Sequence, residues 1–196
     1  MHRLLLATRN RHKTSELAAL LGAEFQVEDL TTHPELPEVE ETGVTFLENA
    51  TLKALAASRH FGADVLVLAD DSGLEVDALG GAPGVRSARF AGPGATDADN
   101  TALLLARLEN ATERTARFRC VIAVARGGEL AASFEGACEG RIIDAPRGCE
   151  GFGYDPVFVP EGDSKTFAEL PAEMKNRISH RAKATGQALA WLRGCR

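Results

Sequence analysis

The sequence is short of the features that mark several function classes. Only four of its 196 residues are cysteines: Cys120, Cys138, Cys149 and Cys195. They form no CxxC pair and show no zinc-type spacing, so reduced thiols in a reducing compartment are expected. No stretch approaches the length that crosses a membrane. The apolar run in MHRLLLATRN is too short for the core of a secretion signal, so a cytoplasmic protein is expected. Basic residues are not in excess: 22 Lys and Arg stand against 28 Asp and Glu, a formal net charge of −6. That balance argues against wholesale binding to nucleic acid or to acidic membranes. A polyanionic small ligand stays open where cations gather locally or a metal intervenes.

Common catalytic signatures are missing too. There is no GxxxxGK[ST], no GxGxxG, no GxSxG and no HExxH. Repeats, low-complexity tracts and linkers are absent. What remains has the composition of a globular protein, 44% hydrophobic and 26% charged, in a chain long enough to bury a core without staples.

The apolar pattern reads as α/β with a mixed sheet. Residues 3–7 form a short strand, 8–12 a polar loop and 13–21 a helix that ends at Gly22. A second strand is expected over 25–30 and an acidic, proline-containing loop over 31–43. Thr45 and Glu48 make a capping box for a helix to about Phe61, with Phe46, Ala50, Ala54 and Ala57 on one face. A strand over 65–69, buried on both sides, precedes the adjacent pair Asp70-Asp71, and Ser72-Gly73 reads as a tight turn. A helix from Thr96 or Asp97 to Leu108, a hairpin of 117–125 and 129–135 around Gly127-Gly128, and a strand at 157–159 follow. Ser179 caps a last helix to about Arg193, with Ala182, Leu189 and Leu192 inward.

Five stretches could carry chemistry. Thr8, Asn10 and Lys13 lie where a strand gives way to a helix N-terminus, which suits a phosphate. Equally, Thr8 and Asn10 make the turn and Lys13 is solvated. Glu38, Glu40 and Glu41 crowd one loop. Beside it, Asn49 and Lys53 share a helix face and could reach one ligand. Two neighbouring carboxylates, Asp70 and Asp71, resist burial unless a cation joins them; Mg²⁺ takes such oxygen ligands together with substrate phosphates. Side chains alternate along a strand, so one aspartate faces a site while the other braces the fold. Glycines around Phe152 and Tyr154 let a ring approach a flat ligand, or simply turn the chain beside core aromatics. Lys175, His180 and Arg181 add cations near a helix start, where an anion would offset the macrodipole.

Together these blocks resemble one family. TRNxxK at 8–13, EETGxTFxENAxLKA at 40–54, ADDSGLxVDALGGAPGVxSAR at 69–89, FGYDPVF at 152–158 and SHRAKA at 179–184 occur in order over almost the whole chain. They are similar to the Ham1/RdgB, or inosine triphosphatase, family of pyrophosphatases acting on non-standard purine nucleoside triphosphates. The resemblance implies an ITPase-like α/β domain over 1–196: two lobes around a long central mixed sheet with a cleft between them, as a homodimer. It implies Mg²⁺-dependent hydrolysis of dITP, ITP and XTP to the monophosphate and pyrophosphate. By motif, Thr8, Arg9, Asn10, Arg11, His12 and Lys13 would meet substrate, as would Lys53, Ser72, Phe152, Gly153, Tyr154, Asp155, Lys175, His180 and Arg181. Asp71 would be general base and metal ligand, with Glu40, or else Glu41, as second ligand. Many members carry glycine where this chain has Arg9, so either the loop needs no positive φ or its geometry differs. Two alternatives are a Maf-type nucleotide pyrophosphatase and a non-catalytic nucleotide sensor.

Overall fold

The computed structural model describes residues 2–194; Cys195 lies outside them. Six strands form one mixed sheet in the order β2-β1-β3-β4-β5-β6. They are β1 (His2–Leu6), β2 (Phe25–Asp29), β3 (Leu66–Val76), β4 (Thr115–Arg126), β5 (Glu129–Ile142) and β6 (Phe158–Pro160). The helices are α1 (Arg11–Leu21), α2 (Phe46–Phe61), α3 (Asp97–Arg107), α4 (Ala172–Ile178) and α5 (His180–Gly194). β1 pairs in parallel with both β2 and β3, and β5 pairs antiparallel with β6. Only the two residues Gly127-Gly128 join β4 to β5, which makes those neighbours antiparallel.

The chain divides into two compact units. The first comprises Met1–Asp71, Cys120–Gly136 and Arg181–Arg196; the second comprises Ser72–Arg119 and Ala137–His180. In the first, Leu4, Leu6 and Leu68 of the sheet pack with Leu17 and Leu21 of α1 and Ala184, Ala188 and Leu192 of α5. In the second, Leu74, Val76, Phe118 and Ile142 pack with Leu104 of α3, Tyr154, Phe158 and Phe167.

Several boundaries depart from the sequence pattern, each for a local reason. β3 does not stop at Ala69: Asp70, Asp71, Ser72 and Gly73 lie inside it, and Ser72-Gly73 is extended strand rather than a tight turn. The polar residues can stay in the strand because ion pairs offset their desolvation. β5 continues past Glu135 to Ile142; its first half is largely exposed, so it lacks an apolar signal. A separate helix, α4, precedes Ser179, whose extended backbone (φ −66°, ψ 157°) breaks it from α5. The buried stripe of α5 is Arg181, Ala184, Thr185, Ala188 and Leu192, while Ala182 and Leu189 are only half-buried. The α2 capping box forms as expected, with Thr45 and Glu48 reciprocally bonded.

Candidate active site

In the first unit the site is built around α1, α2 and β3. At the start of α1, Asn10 accepts from the backbone N–H groups of His12 (3.0 Å) and Lys13 (3.2 Å), and Thr8 Oγ1 accepts from the Asn10 N–H (3.1 Å). Thr8 and Asn10 therefore do shape the turn. Lys13 is not solvated, however: its ammonium lies 3.1 Å from Asp70. Arg9, Arg11 and His12 are exposed around the same helix start. No residue other than glycine has positive φ among the described residues, so Arg9 fits the loop without strain. Its guanidinium donates to the Leu36 carbonyl at 2.5 Å, tying this loop to the acidic one.

Asp70 is 3% exposed and pairs with both Lys13 and Arg181, each at 3.1 Å. Arg181, 1% exposed, also holds Glu16 of α1 at 2.5 Å. Burial opposes charge at Asp70, but Lys13 and Arg181 outweigh it and hold the carboxyl well below the usual range. Cys120 lies in the same field; burial and the Asp70 charge push its thiol up to about 12, so it is an inert core thiol.

Asp71 occupies different surroundings. It accepts from Asn49 Nδ2 and lies beside Lys53 Nζ, both at 3.3 Å. Lys53 also holds Glu41 at 2.7 Å. Asn49 is oriented by the Gly43 N–H, which donates to its Oδ1 at 2.8 Å. Burial, aided by the Glu41 and Asp70 charges, raises the Asp71 carboxyl above its ordinary value despite Lys53. At Lys53 the balance runs the other way: burial lowers its pKa, yet Asp71, Asp70 and Glu41 together raise it.

Glu40 and Glu38 are exposed, so of the acidic loop it is Glu41 that shares a partner with Asp71. Among the described residues no three His, Cys, Asp or Glu side chains converge as a metal-binding group. The donor set nonetheless suits a hard cation: two carboxylates converge on one ammonium, and Mg²⁺ uses one or two carboxylates with substrate oxygens.

The second unit carries the other candidates. Asp155 Oδ2 accepts from the Phe152 N–H at 2.9 Å and from Lys175 Nζ at 2.6 Å. Lys175, 4% exposed, stands 5.0 Å from the centre of the half-buried Phe152 ring. A side chain at Gly151 (φ +75°) would place its Cβ 2.1 Å from Asp155 Oδ2, so the turn requires glycine there. The Gly153 N–H donates to Asp97 Oδ2 at 2.7 Å. Tyr154 is a core residue whose hydroxyl donates to the Ser87 carbonyl at 2.8 Å, so the ring presented by this loop is Phe152. His180 is buried and lies flat on Phe118. Ser72 is half-buried in β3.

The Ham1 family model matches residues 4–191 of the chain. The chain belongs to the Ham1 family. A dITP/XTP pyrophosphatase of Geobacillus kaustophilus is 53% identical over 187 residues, covering 94% of this Ham1 chain and 91% of that protein. One from Geobacter sulfurreducens is 50% identical over 196 residues, with 98% and 96% covered. The solved structure of a HAM1 protein from Coxiella burnetii superposes with a TM-score of 0.89 at 41% identity, covering 99% and 100% of the two chains. The α/β fold with its mixed sheet is thus the Ham1 fold.

Glu16 and Phe118 do not stand out in the sequence of this Ham1 chain; Gly43 lies in the EETG block and Asp97 at a candidate helix start, with no functional reading attached to either. Glu16 left a faint signal, three residues after Lys13 on one helix face. Phe118 left none, since a strand phenylalanine reads only as core.

Proposed function

We propose that this Ham1 chain is a Mg²⁺-dependent pyrophosphatase that converts ITP, dITP and XTP to the monophosphate and pyrophosphate. One observation carries the reading. A buried strand carboxylate, Asp71, is held between an amide and a lysine with its pKa raised by burial, in a chain about half identical to dITP/XTP pyrophosphatases. A raised carboxylate is a better proton acceptor near neutral pH.

In this reading Lys13, Lys53 and the N–H groups at the start of α1 take the phosphate tail, helped by Thr8 and Asn10. Asp71 takes a proton from the attacking water. The water oxygen bonds to the α-phosphorus, the bond to the α–β bridging oxygen breaks, and pyrophosphate leaves. Mg²⁺ on Asp71 and Glu41, in preference to the exposed Glu40, would neutralise phosphate charge and acidify water. Phe152, with Lys175 and Asp155 fixing it, and His180 serve the purine. Arg181, closed between Asp70 and Glu16, acts by holding Asp70 and hence Lys13. Ser72, Gly153, Arg11 and His12 complete the proposed contacts. Hypoxanthine and xanthine offer an acceptor at position six where adenine has a donor, which a fixed protein donor can distinguish.

A single ITPase-like domain, a homodimer and a cytoplasmic location belong to the same reading. The first is supported by the family match spanning residues of both compact units. The test is incubation with Mg²⁺ and ITP, XTP, dUTP, GTP or ATP, measuring pyrophosphate and orthophosphate separately, with and without excess chelator. Pyrophosphate from ITP and XTP, little from ATP and none in chelator is expected. Preference for dUTP, or binding without release, would overturn the reading.

A further inference from the structure

His180 needs its ring plane fixed if it is to recognise a flat base, because a ring nitrogen donates or accepts within that plane. The last torsion of a histidine is broad and does not set the plane by itself. Its backbone opens α5, and the imidazole is 4% exposed. The Phe118 ring lies 4.8 Å from it, centre to centre, and only 12° from parallel.

Phe118 is itself held firmly. Phe158 meets it edge-on at 4.7 Å and 63°, and Phe167 lies near-parallel at 5.9 Å and 16°. Its neighbour in β4, Arg117, donates to both Asp77 carboxylate oxygens (2.9 and 3.0 Å) and to Glu139 (2.9 Å). Successive strand residues point to opposite faces, so this clamp pins β4 from the face opposite the ring. The aromatic plane is thus anchored to the sheet, and the imidazole lies flat on it.

We infer that Phe118 is a positioning residue: stacked flat on His180, it fixes the direction of the imidazole nitrogens and thereby sets which purine is accepted. The inference rests on the proposed role of His180 toward the base. Aromatic stacking of this kind has a directional preference beyond the area it buries, which leucine cannot reproduce.

The test uses the intact chain as Phe118→Leu, His180→Ala and the double variant, with Mg²⁺ and ITP, XTP or ATP; Leu104→Ala, in the same core but no part of the aromatic stack, is the packing control. For Phe118→Leu, KM for ITP should rise roughly three- to tenfold with kcat little changed, and the preference for ITP over ATP should fall to match. In the His180→Ala background the same substitution should add nothing, because Phe118 acts through the imidazole. Additive effects, or an equal loss of preference in Leu104→Ala, overturn the inference and leave Phe118 as core packing. Proton NMR of the ligand-free chain answers independently of turnover. The carbon-bound ring protons of His180 should lie upfield and move downfield in Phe118→Leu; signals that stay put overturn the inference. Absence of turnover in the unaltered chain counts against the pyrophosphatase reading instead. If Phe118→Leu does not fold, Phe118→Met, which fills the space with a flexible thioether, carries the same measurements.

Discussion

Asp70 and Asp71 are consecutive, yet their carboxylates lie on opposite faces of β3. Asp70 meets Lys13 and Arg181 from α1 and α5, while Asp71 meets Asn49 and Lys53 from α2. The strand period of two converts a repulsive pair into two separately neutralised sites. One carboxyl is held low and the other is raised. Asp70 is thereby fixed as a structural anion, and the proposed role of general base falls to Asp71.

Asp71→Asn should therefore lower kcat by about 10²–10⁴-fold, the range ascribed to a positioned general base. Nucleotide binding, measured by calorimetry, should persist, since Lys13 and Lys53 remain. Near-normal kcat would remove Asp71 from the mechanism.

Gly43 tests whether Asn49 matters. A Cβ at Gly43 would stand 2.6 Å from Asn49 Oδ1 and from Glu48 Cβ. Gly43→Ala should push the amide away from Asp71 and cut kcat on the order of tenfold, as small misplacements do. Steady-state kinetics beside a thermal melt separates this from simple unfolding; unchanged kcat in a folded variant would show that the amide is dispensable.

Arg181 ties two carboxylates from different elements inside the core. Replacing it with methionine leaves Asp70 and Glu16 without their shared guanidinium and should destabilise the chain by about 3 kcal/mol. Arg193→Met, at an exposed pair with Glu24, should leave the denaturation midpoint unmoved. Equal midpoints for the two variants would refute the structural role of Arg181.

Asp29 gives a pH dependence. Burial alone would raise its carboxyl, but hydrogen bonds from Thr14 Oγ1 (2.6 Å) and from the Thr31 N–H (2.9 Å) and hydroxyl outweigh it and lower the pKa. With the folded value below the unfolded one, its contribution is complete above the unfolded pKa of about 3.9 and fades as pH falls through the folded value. Asp29→Asn should thus be less stable than the parent at neutral pH, and the gap should close below about pH 4. Urea denaturation at several pH values measures this, and a gap that widens in acid would contradict it.

Arg9 anchors to the Leu36 carbonyl and occupies an unstrained backbone. Arg9→Gly should raise KM only a few-fold, by loosening the acidic loop that carries Glu41. Complete loss of activity would mean that the guanidinium has a role beyond this tether.

The sequence determined the α/β class, the capping box at Thr45 and the apolar face of α2, and it supplied the residue types from which the proposed site is drawn. All of these depend on local periodicity or on short spacing, which a chain displays before it folds. Tertiary structure alone decided that β3 runs on through Asp70 to Val76, because only partners from α1, α2 and α5 make charged residues tolerable in a buried strand. It also decided that Glu41 rather than Glu40 reaches Lys53, that Tyr154 turns inward, and that Phe118 lies under His180. Those relationships join residues up to 111 positions apart, as Asp70 and Arg181 are. Long-range geometry of that kind comes from packing and leaves no pattern along the chain.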